Sequence, residues 1–402
     1  MPYQTEHVRE ANRHGVYRAL ARCGVATRTE LAQVTGLSSP TVAAILAEFH
    51  AHGIVVEAGT DEGTGGRPAQ RVRFEANAAH VLAVDLSDRH ARACRIDLTG
   101  RVLARQVGPA LAPGATEDVL AWLGPLVREG GSPQVRRVAL AVPGVVDPDD
   151  GHVDLAPALG WHAVDVAARF EADLGVGVRL ENDVNALALA ELHYGAGAAH
   201  RHVLYVAIGS GVGAGVVIDG RLYRGAHAAA GEIGSIVACS EDEARPLAPG
   251  QPGPLERRVV EAAGGCLDDD GYLDDTSPAA RCAFDDLVRL LGPTLHNLAC
   301  LLDPELLVVA WPADRGGRLA ERIRESWRGP WPLRIVPGAL GPDGAARGVA
   351  HLALEDLEAD ICRHRAGGGT FAEAAAAAVA APLDAPRGAS SPPPQRPRSR
   401  HV

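Results

Sequence analysis

The spacing of apolar residues changes its period twice along the chain, and this pattern limits the fold more than any single motif does. Up to about residue 58, apolar residues recur every three to four positions, the period of amphipathic helices. From His80 to about Ile361, strand-like runs (Val81 to Leu86, Val138 to Val142, Val203 to Ile208, Leu306 to Ala310) alternate with longer helical patterns. That alternation is the signature of α/β layers. After Cys362 the composition collapses into Ala, Pro, Gly and Arg, without the large apolar side chains that offset ordering entropy. The expected organisation is a helical unit over 1–75, an α/β unit over 76–362 and a disordered tail over 363–402.

Charge and cysteine usage narrow the function classes. No uninterrupted apolar stretch reaches the roughly 18 residues of a membrane helix, and the first ten residues carry charges instead of an apolar signal core. A cytoplasmic protein with no membrane partner is expected. The seven cysteines lie far apart, are odd in number and form no Cys-x-x-Cys pair, against both a disulfide framework and a zinc ribbon. All 39 basic residues are Arg, and the net charge of −11 disfavours non-specific binding to polyphosphate, so any DNA contact must be local.

Three helices are predicted in the N-terminal unit. The first places Val8, Ala11, Val16, Ala19, Leu20 and Cys23 on one stripe and stops near Gly24. The second opens on the capping box Thr27-Arg28-Thr29-Glu30, buries Leu31 and Val34, and ends at Gly36. After a tight turn, Ser38 or Ser39 caps a third helix with Pro40 in its first turn, where a missing N–H costs little. Val42, Ile45, Leu46 and Phe49 form its core face, while Ser39, Thr41, Ala44 and Glu48 lie opposite. Small polar residues at the start of the second helix of such a pair suit entry into the DNA major groove, which makes Ser39, Pro40, Thr41 and Ala44 the candidate contacts. Ile54 to Glu57 and Val72 to Phe74 read as the strands of a β wing. At its tip, Arg67 in Gly65-Gly66-Arg67-Pro68 can insert into a narrow minor groove, or the four residues can be a plain linker. Eight Arg against eight acidic residues in Met1 to Glu75 leave room for a helical packing module without DNA contact.

In the α/β unit, Gly209-Ser210-Gly211-Val212-Gly213-Ala214-Gly215 follows the run Val203 to Ile208. Such glycines let amides crowd around a phosphate or let two strands turn tightly. Upstream, Glu181-Asn182-Asp183-Val184-Asn185 suits hydrogen bonding to a polyol, with a helix N-cap as the simpler alternative for Asn182-Asp183.

The order of helix-turn-helix, Gly-Gly-Arg-Pro (65–68), Ala-Val-Pro-Gly (141–144), Glu-Asn-Asp-Val-Asn-Ala (181–186), Gly-Ser-Gly-Val-Gly-Ala-Gly (209–215) and Ala-Gly-Glu-Ile-Gly (230–234) resembles the ROK family of repressors, open reading frames and sugar kinases. The resemblance covers about residues 7–360. It implies an α/β fold in which an N-terminal winged helix-turn-helix precedes a two-lobed actin-like (ribonuclease H-like) ATPase fold with a sugar site in its cleft. Carried over by motif position, the sugar contacts would be Asn182, Asp183, Glu232 and Glu256.

Departures from the family pattern matter equally. The Asp-x-Gly-Gly-Thr phosphate loop of ROK kinases reads Asp85-Leu86-Ser87-Asp88-Arg89 here, so close backbone approach to ATP is lost and Asp88 repels phosphate. The family's zinc ligands have become Ser235, Leu247, Pro249 and Pro254, with Cys239 a lone thiol. These departures lead to the expectation of no metal, no cofactor and no catalytic residue. The resemblance points to a sugar-responsive DNA-binding regulator, a repressor in the first instance, acting as a homodimer or higher homo-oligomer on an inverted-repeat operator, with a sugar or sugar phosphate as effector. The alternative is an ATP-dependent sugar or amino-sugar kinase with an attached DNA-binding domain.

Overall fold

The computed structural model describes residues 2–61, 69–128, 135–237, 251–268, 271–274, 277–329 and 331–363. The tail expected over 363–402 therefore lies outside the described residues apart from Arg363, as does Arg67.

The N-terminal unit is α1 (Pro2–Cys23), β1 (Val25–Thr27), α2 (Arg28–Thr35), α3 (Ser39–Ala51), β2 (Val55–Asp61) and β3 (Ala69–Phe74). The predicted capping box forms, with Glu30 N donating to Thr27 Oγ1 at 3.2 Å and Thr27 N to Glu30 Oε2 at 2.7 Å. Ser38 is the N-cap of α3, its hydroxyl accepting from Thr41 N at 3.3 Å, with Pro40 in the first turn. Val42, Ile45, Leu46 and Phe49 are buried as expected. Strands β2 and β3 pair antiparallel as the wing, with β1 on the far side of β3.

Two expectations here need correction. Val8 is 58% exposed, and Ala11 and Cys23 are exposed as well, because Arg13, Val16, Tyr17 and Leu20 define the buried face of α1. At 100° per residue Val8 lies about 100° away from the Val16–Leu20 line. Val34 is 61% exposed, since α2 has only eight residues and turns Leu31 alone into the core.

The α/β unit repeats one sheet topology twice. Lobe one holds β4 (His80–Asp85), β5 (His90–Asp97), β6 (Val102–Ala110), β7 (Val135–Val142) and β11 (Gly177–Asn182) in the order β11-β7-β4-β5-β6. Between β7 and β11 a small antiparallel sheet of β8 (Val145–Asp147), β9 (His152–Ala156) and β10 (Trp161–Asp165) is inserted. Lobe two holds β12 (Val203–Ile208), β13 (Val212–Ile218), β14 (Arg221–Tyr223), β15 (Leu306–Ala310) and β16 (Arg334–Pro337) in the order β14-β13-β12-β15-β16. In each sheet the first three strands run antiparallel and the last two are added parallel.

Period-two alternation decides which helices cover each face. In β4, Leu82 and Val84 face α4 (Thr116–Arg128) and α5 (Val166–Leu174), while Val81 and Ala83 face α10 (Gly344–Arg363). In β12, Leu204, Val206 and Ile208 face α7 (Pro254–Gly264), α8 (Pro278–Leu302) and α9 (Arg318–Ser326), while Val203 and Tyr205 face α6 (Asp183–Tyr194). Helices α6 and α10 thus form the middle of the molecule, sandwiched between the sheets. They cross closely at Gly348, where a Cβ would lie 1.7 Å from the Ala186 carbonyl oxygen. The core around α10 continues into Val16, Leu20 and Phe49, so the N-terminal unit and lobe one share one apolar cluster.

Candidate functional site

Strands β4 and β11 of lobe one both run parallel to β7 and end on the same sheet edge in an acidic and an amide side chain, the edge at which ligands usually bind in open α/β sheets. Asp85 ends β4 and is 6% exposed, and Ser87 donates its amide (2.9 Å) and hydroxyl (2.6 Å) to Asp85 Oδ1. The following Asp88 accepts from Arg89 N and from Arg92, both at 2.7 Å. Asn182 ends β11 and serves as the N-cap of α6, accepting from Asn185 N at 3.0 Å and donating to Gly144 O at 2.9 Å. Its side chain is thus already engaged by the backbone, as the simpler alternative for this motif requires.

Asp183 opens α6 and is half-buried. Burial, then the neighbouring charges of Asp85 and Glu232, push its carboxyl up to about 7 against the opposing pull of the first-turn amides. Burial also raises Asp85, although both Ser87 hydrogen bonds oppose the shift. Glu232 reaches solvent on one side, yet burial on the other and the charge of Glu256 raise its carboxyl too. Asp85, Asp183, Glu232 and Glu256 are therefore linked by mutual repulsion, and hydroxyl donors entering among them would relieve it. Asp183 lies within electrostatic reach of Asp85 and Glu232, and Glu232 within reach of Glu256.

Backbone approach fixes the lobe-two side. Gly231 has φ +95°, and a Cβ on it would lie 1.8 Å from the Ala214 carbonyl oxygen. Its own carbonyl accepts from Ala214 N at 2.8 Å, which pins the Glu232 loop to β13. Glu256, in the first turn of α7, accepts from Gly253 N at 3.1 Å and lies against Gly211 at the β12–β13 turn. The glycine run works as a tight turn followed by a packing surface: a Cβ on Gly215 would sit 2.4 Å from Ala188 Cβ of α6.

A residue pair that motif reading missed ties the two sides together. Glu181 is 1% exposed, and Arg224 donates to its Oε2 through Nε (2.8 Å) and Nη2 (2.6 Å). Glu181 Oε1 accepts from Asn182 N and Asn185 Nδ2, each at 3.1 Å. The carbonyl of Arg224 accepts from Ala230 N, beside the Glu232 loop. The sequence signal was Glu181 directly after Leu180 in the buried strand β11, a charge that burial obliges to find a partner.

On the N-terminal unit, Ser39, Pro40 and Ala44 are exposed on α3, and Thr41 is half-buried with its hydroxyl 2.8 Å from Ser38 Oγ. Thr41, Ala44 and Glu48 share a groove of about 440 Å³ with Arg9, Asn12 and Arg13 of α1. Arg13 was also missed. It is 6% exposed and donates to Glu48 Oε2 of α3 at 2.7 Å and to the Cys362 carbonyl of α10 at 3.4 Å. Beside it, Glu358 of α10 accepts from His14 (2.7 Å) and Arg18 (2.6 Å).

Family models match two stretches of this architecture: the ROK family over residues 81–264 and a DNA-binding winged helix-turn-helix over 9–56. The chain carries a ROK-family domain behind a winged helix-turn-helix. Among ROK-type relatives, the xylose repressor of Caldicellulosiruptor bescii is 24% identical over 350 residues, 79% of this chain and 87% of its own length. The dual transcriptional regulator NagC of Escherichia coli K12 is 28% identical over 330 residues, 79% of this chain and 74% of its own. A solved ROK-family transcriptional regulator, homologous to the E. coli MLC protein, superposes with TM-score 0.68 at 22% identity over 89% of this chain and 98% of that one. The ROK glucokinase of Streptomyces griseus, solved with glucose and AMPPNP, gives TM-score 0.56 at 26% identity over 68% of this chain and 98% of its own. The glucokinase match spans a smaller share of this chain than the regulator match does, and the two-lobed fold is common to both. Among the described residues no helix is long and apolar enough to cross a membrane. Of the positions corresponding to zinc ligands, Leu247 and Pro249 lie outside the described residues, together with Cys239.

Proposed function

We propose that this protein is a sugar-responsive, cytoplasmic transcriptional regulator, a repressor like its xylose and N-acetylglucosamine relatives, in which a sugar or sugar phosphate in the cleft alters the presentation of two α3 helices to an inverted-repeat operator. The observation that carries this reading is the path from cleft to α3. Asp183 begins α6, α6 packs on α10, and Arg13 of α1 bonds both the end of α10 and Glu48 of α3. A ligand that prefers one lobe geometry shifts the equilibrium by its differential affinity alone, and a rigid ion-paired connection delivers that shift to the DNA-binding face. Asp183, Glu232 and Glu256 bind vicinal hydroxyls, with Asn182 holding the start of α6. Ser39, Pro40, Thr41, Ala44 and Arg67 contact operator DNA from a homodimer or higher oligomer.

In the phosphate loop, Asp85 is taken up by Ser87, and Asp88 with its Arg partners occupies the position where a polyphosphate would need bare backbone. These residues do not fit ATP. One observation favours the kinase alternative: a carboxyl near 7 at Asp183 is well placed to take a proton from a sugar hydroxyl. A coupled ADP-release assay separates the two. The regulator reading expects no sugar-dependent turnover, whereas a rate in the usual kinase range of about 1 to 100 per second would replace it. A thermal-shift panel of monosaccharides and their phosphates identifies the effector, because a cleft ligand stabilises the folded state by mass action.

A further inference from the structure

At the far end of α6 from Asp183, about 18 Å along the helix axis, lies a second cavity that no cleft residue lines. Its volume is about 360 Å³. One wall is the β5–β6 turn and the start of β6, with Arg101 and Arg105. The other is the loop before α10 and the first turn of that helix, with Asp343 and Arg347. The wall is preset: Glu191, 1% exposed on α6, accepts from Ala339 N (2.6 Å) and Leu340 N (3.0 Å) and so fixes the loop.

Charge in this cavity is unbalanced. Three guanidiniums face one carboxylate, a formal surplus of two positive charges. Asp343 is committed to Arg105 at 2.5 Å. Arg347 is held with its guanidinium carbon 4.4 Å over the Tyr194 ring, and its Nε is buried without a hydrogen-bond partner among the described residues. An unpaired buried donor is costly to leave unmade, and a guanidinium pre-oriented by an aromatic ring loses little freedom on binding an anion.

We propose that this cavity is an anion site for a phosphate dianion, held by Arg101 and Arg347 with Arg105 shared between ligand and Asp343. A phosphate group carries about −1.5 to −2 charge at neutral pH, which matches the surplus, and three acceptor oxygens, which suit convergent guanidiniums. The phosphate belongs to a small monoester or to free inorganic phosphate. Bound there, it bridges the β5–β6 turn of lobe one and α10, the helix whose other end holds Arg13, His14 and Arg18. The site stands independently of the sugar reading of the cleft.

Calorimetric titration of the full chain with inorganic phosphate and with glycerol 3-phosphate, in chloride buffer, tests the assignment. Binding at millimolar or lower concentration is expected, weakening by about tenfold in Arg101→Gln and in Arg347→Gln, each of which removes one charged hydrogen-bond donor set. Asp343→Asn, which removes the competing carboxylate, should tighten binding, an effect a purely structural role would not give. Affinity should fall as pH drops below the second phosphate pKa of about 6. Competition by the ester supports a monoester site, and binding of inorganic phosphate alone supports a free-phosphate site. Unchanged affinity in both Arg101→Gln and Arg347→Gln, loss of binding in Asp183→Ala, or no heat from either probe would overturn the proposal.

Discussion

Replacing Asp183 by Asn removes a carboxyl that the fold holds near 7 while leaving its shape intact. The sign follows from proton linkage. Between the ordinary value of 3.8 and about 7 the folded state binds more protons at this site than the unfolded chain, so stability falls as pH rises through that window and the full penalty applies above it. A shift of about 3 units at 1.36 kcal/mol per unit sets a ceiling of about 4 kcal/mol. Asp85 and Glu232 titrate together with Asp183, and solvent reaches part of its side chain, so roughly half that ceiling is the expected observable. Urea unfolding of the wild type and Asp183→Asn at a series of pH values from mildly acidic to mildly alkaline provides the assay. Subtracting the two curves cancels the titrating groups that are not coupled to Asp183. The variant should gain about 2 kcal/mol on the wild type across the range, with the gain growing as pH rises. Parallel stability curves would refute the carboxylate crowding inferred for the cleft. Sugar hydroxyls donating to Asp183 favour its charged form, so effector binding at neutral pH should also release protons, visible as a buffer-dependent binding enthalpy.

Arg224→Ala leaves Glu181 buried without its counter-charge and should cost about 3 to 5 kcal/mol, read as a lowered Tm, with Arg224→Lys recovering part of it. Equal Tm values would mean that the pair contributes nothing to holding the Asn182–Asp183 corner. Arg67→Ala should weaken operator binding more on sequences with A·T tracts beneath the wing than on G·C-substituted ones, measured by anisotropy at one salt concentration. Equal losses would make Arg67 a phosphate contact. Elemental analysis of dialysed protein should find zinc well below one per chain, given Ser235, Leu247, Pro249 and Pro254 at the ligand positions, and a stoichiometric metal would contradict that reading.

Local chemistry made much of the fold legible. The runs Val203 to Ile208 and Leu306 to Ala310 are strands with those bounds, because buried parallel and central strands are near-continuous apolar runs. The Thr27–Glu30 box and the Ser38 cap could be read because capping is decided within four residues. What escaped was long-range. The exposure of Val8 depends on Tyr17 joining the buried face, and the shared core of α1, α3 and α10 brings together residues more than 300 positions apart. Motif order singled out Asp183, Glu232 and Glu256, whereas the Glu181–Arg224 pair and the Arg13 link are side-chain choices that only the packed structure reveals. Asn182 shows the reverse case, where the local N-cap rule describes the residue's engaged atoms directly.

In the proposed regulation, occupancy of the cleft controls the DNA-binding face. Its most direct test is the operator affinity of the full chain across a titration of the sugar that stabilises it, for the wild type and for Asp183→Ala, on a duplex selected from random sequence, at fixed salt. Sugar should weaken wild-type operator binding by about 5-fold or more, the usual scale of such coupling, while Asp183→Ala should bind operator equally well without sugar and ignore its addition. A variant that responds to the sugar at wild-type concentrations would contradict the claim.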